Sequence, residues 1–236
     1  MPATVPAHPR RTSPPRAFTL VELLILLALL ALLLGILLPT LSLARSGARQ
    51  LECASHLRQW GAAVHAYATG NDGYLPRRGN GVDAVTQTAR PTDWFNALPP
   101  LMGLPSYADT LATGLMPRTG VWACAEAADQ PTGYVFDYAM NMWLSTWKAG
   151  QPDRLQRLGD LATQVFMCDG APGHCSAVPA AAPYSPPPRH AGKVNLCFLD
   201  GHVAAFTAAE LGCGAADPLR PDVRWVVDNS TWRGPH

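Results

Sequence analysis

Twenty residues from Thr19 to Leu38 hold twelve leucines and a single charge, Glu22, and this run constrains the chain more than any other feature. About 20 apolar residues is the length at which one α-helix crosses the hydrocarbon core of a bilayer. The acid is the anomaly: on insertion scales an Asp at mid-membrane costs roughly 2.5–3.5 kcal/mol, and less near the interface, so an acid there points to function. Arg10, Arg11 and Arg16 precede the run. A basic flank of this kind stays cytoplasmic, which puts everything beyond Leu38 outside the cytoplasm. Two plainer readings stay open, a secretory signal cut after Ala44 and an ordinary signal anchor. Neither gives Glu22 a role.

The helical period does not stop at the membrane. Leu41, Ala44, Ala48, Leu51, Ala54, Leu57, Trp60, Val64 and Tyr67 recur at threes and fours, which predicts that the same helix runs on to Thr69. Gly70-Asn71-Asp72-Gly73 then supplies residues suited to left-handed and turn geometry. Gly47 and Gly61 each weaken the helix by about 1 kcal/mol relative to Ala. Beyond residue 70 the chain has the size of one globular domain, and the sequence as a whole holds 23 prolines and 20 glycines. Without the three leader arginines, fifteen basic residues face seventeen acidic ones. That balance gives no reason to expect nucleic acid as a partner.

All six cysteines, Cys53, Cys124, Cys168, Cys175, Cys197 and Cys213, lie beyond the membrane segment, where an oxidising compartment permits disulfides. The expected pairs are Cys53 with Cys124, tying the helix to the middle of the domain, Cys168 with Cys175, and Cys197 with Cys213. The rival is a metal site of Cys168, His174, Cys175 and either His190 or His202, which no CxxC or HxxxH spacing supports.

Several local elements are legible. Thr92-Asp93 before Trp94 to Leu98 reads as a capped short helix ended by Pro99. Val121 to Cys124, Gln164 to Cys168 and Val223 to Asp228 read as strands, and Ala171 to Arg189 as a proline-rich loop. Asp200-Gly201 between two apolar runs predicts a two-residue hairpin turn. In that register Leu199 faces His202, Phe198 faces Val203 and Leu196 faces Ala205. Val194, Leu196, Phe198, Val203 and Ala205 would then face the long helix. The expected fold class is α+β, one long N-terminal helix laid on a small antiparallel sheet.

Phe18-Thr19-Leu20-Val21-Glu22 and the leucines after it resemble the processing motif of type IV prepilins and of type II secretion pseudopilins. The resemblance implies a pilin-like fold and a leader, residues 1–17, cut between Ala17 and Phe18 by a prepilin peptidase that methylates the new amine. Ala17 departs from the family's usual Gly before the cut. The implied divisions are a membrane and filament-core helix over 18–39, its soluble continuation over 40–69 and an extracytoplasmic head over 70–236. Glu22 would pair with the terminal ammonium of a neighbouring subunit, and Pro39 falls where many members kink or melt the helix. His190 and, after nine residues, Asp200-Gly201 are similar to a His-x9-Asp-Gly signature of one large prepilin-like group. The segments at Cys53 to Gly61, Asn71 to Pro76 and Tyr138 to Asn141 also look like that group.

The leading expectation is therefore a non-enzymatic pseudopilin or minor pilin in the bacterial inner membrane, with its head in the periplasm and no cofactor or metal. Its implied partners are prepilin peptidase, other pilin-type subunits and an inner-membrane assembly platform. The alternatives are an anchored extracytoplasmic binding protein or metal-dependent enzyme using His190, Asp200 and His202, and a head that binds cargo through its proline-rich loop. Intact-mass and N-terminal mass spectrometry of protein from native membranes tests the leader reading. A chain beginning at a methylated Phe18 is the expected result, whereas one beginning at Met1 or Arg45 would remove it.

Overall fold

The computed structural model describes residues 19–79, 90–114, 120–127, 136–144, 153–170, 174–179, 184–213 and 220–225. Ala17, Phe18 and the leader arginines lie outside these residues. The chain divides into two units, 1–44 and 45–236.

Helix α1 covers Leu20–Gly70 and contains Pro39 without ending there. It is long and apolar enough to cross a membrane once, and the leucines from Leu20 to Leu38 are all exposed. Its start explains Glu22 locally. The backbone N–H and hydroxyl of Thr19 both donate to Glu22 Oε2 at 2.9 Å, and the Glu22 N–H donates to Thr19 Oγ1 at 3.2 Å. This reciprocal capping box satisfies donors that a helix start otherwise leaves bare. The acid thus has a role within a single chain, which the sequence reading did not give it.

Within the second unit, one face of α1 is buried: Cys53, Leu57, Trp60, Gly61, Val64 and Ala68. That face lies against a five-stranded sheet in the order β3-β1-β2-β4-β5, made of β1 (Tyr138–Asn141), β2 (Val165–Asp169), β3 (Ser176–Ala177), β4 (Lys193–Phe198) and β5 (Val203–Thr207). The architecture is α+β. The sheet is mixed rather than antiparallel, because β3 pairs parallel to β1. Helices α2 (Trp94–Ala97) and α3 (Tyr107–Ala112) bring Trp94, Phe95 and Tyr107 onto the α1 side, where they join Trp60, Trp122 and Phe136. Ring centroids there stand 5.0–6.2 Å apart. A second core of Val165, Cys168, Val194, Leu196, Phe198, Leu211 and Trp225 covers the other face. All five residues of β2 are buried as a result.

Two strand expectations need correction. Val121 sits in a 3-10 turn, Gly120–Trp122, and not in a strand. Arg224 makes only an isolated bridge to Gln164, and residues 226–228 lie outside the described region.

The β4–β5 hairpin is one residue out of the expected register. Cys197 pairs with Val203, Leu196 with Ala204 and Val194 with Phe206. The Phe198 N–H donates to His202 O and the Gly201 N–H to Phe198 O, both at 2.9 Å. The loop is therefore Leu199-Asp200-Gly201, a turn closed by Gly201 at φ 91°. A three-residue loop with glycine in the left-handed position is a common alternative to the two-residue turn. A one-residue slip reverses the faces. Cys197, Leu199 and Val203 look toward α1, while Val194, Leu196 and Phe198 look away.

Gly61 permits the closest approach of helix and hairpin. A Cβ there would stand 2.9 Å from Cys197 Sγ and 3.2 Å from Gly201 Cα. Gly61→Ala should therefore destabilise the full chain by about 1–3 kcal/mol through overpacking, despite the better helix propensity of alanine. Chemical unfolding in detergent micelles checks this, and a gain in stability would refute the close contact.

Candidate metal centre

Three segments distant in sequence converge beside the α1 seam. Cys53 projects from α1, and side chains one and two turns further along the helix fix what faces it. His56 Nδ1 lies 3.1 Å from the carbonyl oxygen of Ala123, and the Trp60 indole N–H donates to the carbonyl of Val121 at 2.9 Å. These contacts hold the 120–124 turn against the helix and bring Cys124 onto Cys53. The Cys124 N–H donates to Asp137 Oδ2 at 2.9 Å.

His190 arrives through a tight turn before β4. The His190 and Lys193 backbones exchange hydrogen bonds at 3.1 and 3.0 Å. Ala191 and Gly192 between them both have positive φ, 50° and 84°, the pattern of a type I′ turn. Arg189 reinforces the placement by donating to the carbonyls of Asp137 at 2.9 Å and Gly170 at 2.7 Å. The His190 imidazole thereby reaches Asp169, the last residue of β2.

The sulfurs of Cys53 and Cys124 and a ring nitrogen of His190 all lie within 4.8 Å of one another. Cys53 Sγ and Cys124 Sγ are 2.7 Å apart, and His190 Nε2 is 3.5 Å from Cys124 Sγ and 3.3 Å from Asp169 Oδ2. Cys53, Cys124, Asp169 and His190 are all buried. Oδ2 also accepts the Asn195 N–H at 2.7 Å. Asp169 Oδ1 and His190 Nδ1 have no hydrogen-bond partner among the described residues.

The electrostatics is that of a dry, proton-sharing cluster. Cys53 is held well below the usual thiol range by its contacts with Cys124, His190 and Tyr138. Cys124 is pushed up by the same sulfur contact and by burial, so the proton stays on it. Burial is the largest influence on His190 and works against its charged form, but Asp169 and Cys53 together outweigh it and raise the imidazole to about 9. Burial raises Asp169, with His190 offsetting part of the effect. A thiolate, a thiol, an imidazolium and a carboxyl group without bulk water form a set that a soft divalent ion can replace protons to enter.

These observations correct several expectations. The cysteines carry free thiols, so the structure holds none of the expected disulfides. Cys53 and Cys124 are brought together, but at 2.7 Å they stand well beyond the S–S bond length of about 2.05 Å. Cys168 and Cys175 belong to opposite cores, and so do Cys197 and Cys213. The sheet stands between the members of each pair. It also separates Cys168 from Cys175 as metal ligands.

The His190/Asp200/His202 site is not assembled either. Asp200 and His202 pair with each other at 2.6 Å on the partly exposed hairpin tip, where His202 stacks on Phe198 at 4.2 Å. His190 finds Asp169 instead. The expectation of a purely non-enzymatic filament subunit without metal chemistry is overturned by the buried Cys53/Cys124/His190 set, which can chelate an ion. Asp169 escaped the sequence reading, and Tyr138 entered it only as part of the Tyr138 to Asn141 segment; the signal for each was a polar residue at one end of a buried strand. No family model, curated protein or solved structure matches this chain.

Removing one partner of a buried charged pair costs more than removing both, because the survivor keeps its desolvation penalty. His190→Ala should therefore destabilise the metal-free protein by roughly 3–5 kcal/mol, and adding Asp169→Asn should recover part of the loss. A double-mutant cycle by urea unfolding checks this. Strict additivity would mean that the two side chains are not coupled.

Proposed function

We propose that this chain is a membrane-anchored extracytoplasmic metal-binding protein whose head holds the ion with Cys53, Cys124 and His190. The observation that carries the reading is the convergence of two buried thiols and an imidazole within 4.8 Å. Sulfur with nitrogen is the donor set of zinc or copper(I), whereas magnesium and calcium favour oxygen. The reading retains metal-dependent catalysis as a capacity of the head, in place of a purely structural role.

The ion would join the spine helix, the 120–124 turn and the loop before β4. Such a junction turns binding energy into folding stability. It also disposes of two buried protons, those of Cys124 and His190. One adjustment is required. Two thiolates at about 2.3 Å from a tetrahedral ion stand about 3.7 Å apart, so the sulfurs must part by about 1 Å from their present 2.7 Å. Both become anionic on binding, and their repulsion drives that separation.

For the rest of the molecule, the proposed topology has the arginine-containing leader in the cytoplasm, α1 crossing the inner membrane and the head in the periplasm. The basic flank supports this orientation. The leader's resemblance to prepilins supports removal of residues 1–17 by a prepilin-type peptidase, with Phe18 as the new terminus. A pilin-like reading of the architecture is supported by the spine helix carrying a sheet on its distal half.

Elemental analysis of the full chain, purified in detergent under reducing conditions without chelator, tests the metal reading. About one zinc or copper per chain is expected, lost in Cys53→Ser, Cys124→Ser and His190→Ala variants. Protein with both thiols reduced that carries no stoichiometric metal and takes up none when zinc or copper(I) is added would overturn it.

A further inference from the structure

Three ligands leave zinc one short of the four it takes in a closed site. We propose that Asp169 is the fourth ligand, making the centre a Cys53–Cys124–His190–Asp169 set. This inference rests on the metal reading above and specifies its coordination.

The spacing of the donor atoms carries the argument. An imidazole nitrogen and a carboxylate oxygen, each about 2.0–2.1 Å from one tetrahedral ion, stand about 3.3–3.4 Å apart. A nitrogen and a thiolate on the same ion, with the sulfur at about 2.3 Å, stand about 3.5–3.6 Å apart. His190 Nε2 is 3.3 Å from Asp169 Oδ2 and 3.5 Å from Cys124 Sγ. Two edges of a zinc tetrahedron are thus already set, and both meet at the nitrogen that would bind the ion. The Cys53–Cys124 edge must open, and the Asp169 carboxylate, which stands outside the 4.8 Å group of the other three ligands, must swing toward the sulfurs.

Burial leads to the same assignment: the Asp169 carboxylate is fully enclosed 3.3 Å from His190 Nε2, so an ion on that nitrogen would be its nearest cation. Asp169 is also held as ligating carboxylates are, with one oxygen fixed by a backbone N–H. Its other oxygen, Oδ1, is buried without a partner among the described residues. The Arg189 clamp on Asp137 and Gly170 braces both the β2 end and the His190 turn, so the carboxylate and the imidazole are positioned as one unit.

The test measures zinc affinity of the full chain in detergent by competition with a chromophoric chelator, together with the absorption spectrum of the cobalt(II)-loaded protein. Asp169→Asn should weaken zinc binding on the order of 100-fold or more and alter the cobalt ligand-field bands, since even outer-shell partners are typically worth 10–100-fold. Asp169→Cys should restore tight binding and add thiolate-to-cobalt charge transfer, a signature that a merely structural aspartate would not produce. If Asp169→Asn does not fold, the Asp169→Cys spectrum decides: added charge transfer supports ligation, and a wild-type thiolate count overturns it. Wild-type affinity and an unchanged spectrum in Asp169→Asn would also overturn Asp169 as a ligand while leaving the three-residue site standing. Failure of the wild-type protein itself to bind zinc or cobalt would remove both readings.

Discussion

The head depends on the burial of one face of α1, from Cys53 through Leu57, Trp60 and Val64 to Ala68, because this strip supplies the apolar cover for one side of the sheet. Without it, Phe166, Met167, Cys197 and Leu199 would face water. Trp60 makes the strip directional as well as apolar. Its ring enters the aromatic cluster while its N–H bonds the Val121 carbonyl, so the same side chain that fills the core also sets the turn leading to Cys124. Gly61 completes the seam by letting the hairpin tip approach the helix backbone.

The candidate metal centre follows from that seam. Cys53 lies two turns before Trp60 on the same helix face, so fixing the 120–124 turn against Trp60 and His56 also fixes Cys124 against Cys53. From the other side, β2 ends at Asp169 and the type I′ turn delivers His190. Buried ionisable groups are tolerated only where they find one another or an ion. These four do the first in the present structure and have the donor set for the second. The same two sulfurs, 2.7 Å apart, are also near enough for oxidation to join them.

Glu22 shows how one residue supports different arguments at different levels. As a lone acid in an apolar run it suggested a partner in another subunit. The helix start offers a closer one in Thr19, whose N–H and hydroxyl both bind the carboxylate. A capping interaction is local and needs only the sequence Thr-x-x-Glu, so it was legible from the beginning. The hairpin makes the opposite case: Asp-Gly marks a turn correctly, but loop lengths of two and three residues are both compatible with it, and that single residue decides which side of β4 meets the helix.

What the sequence determined by itself was whatever local periodicity controls: the membrane-length helix and its continuation to Gly70, β2, β4 and β5, and the α+β class. Leucine density and helical spacing act over neighbouring turns, so no distant residue is needed to read them. Only the tertiary structure decided the mixed sheet, the hairpin register and the meeting of Cys53, Cys124, Asp169 and His190. These depend on which segments lie together once the core is filled. Cysteine order along a chain says little about which side of a sheet each thiol occupies. The side is what keeps Cys168 from Cys175 and Cys197 from Cys213, and what leaves Cys53 and Cys124 with an imidazole as their neighbour.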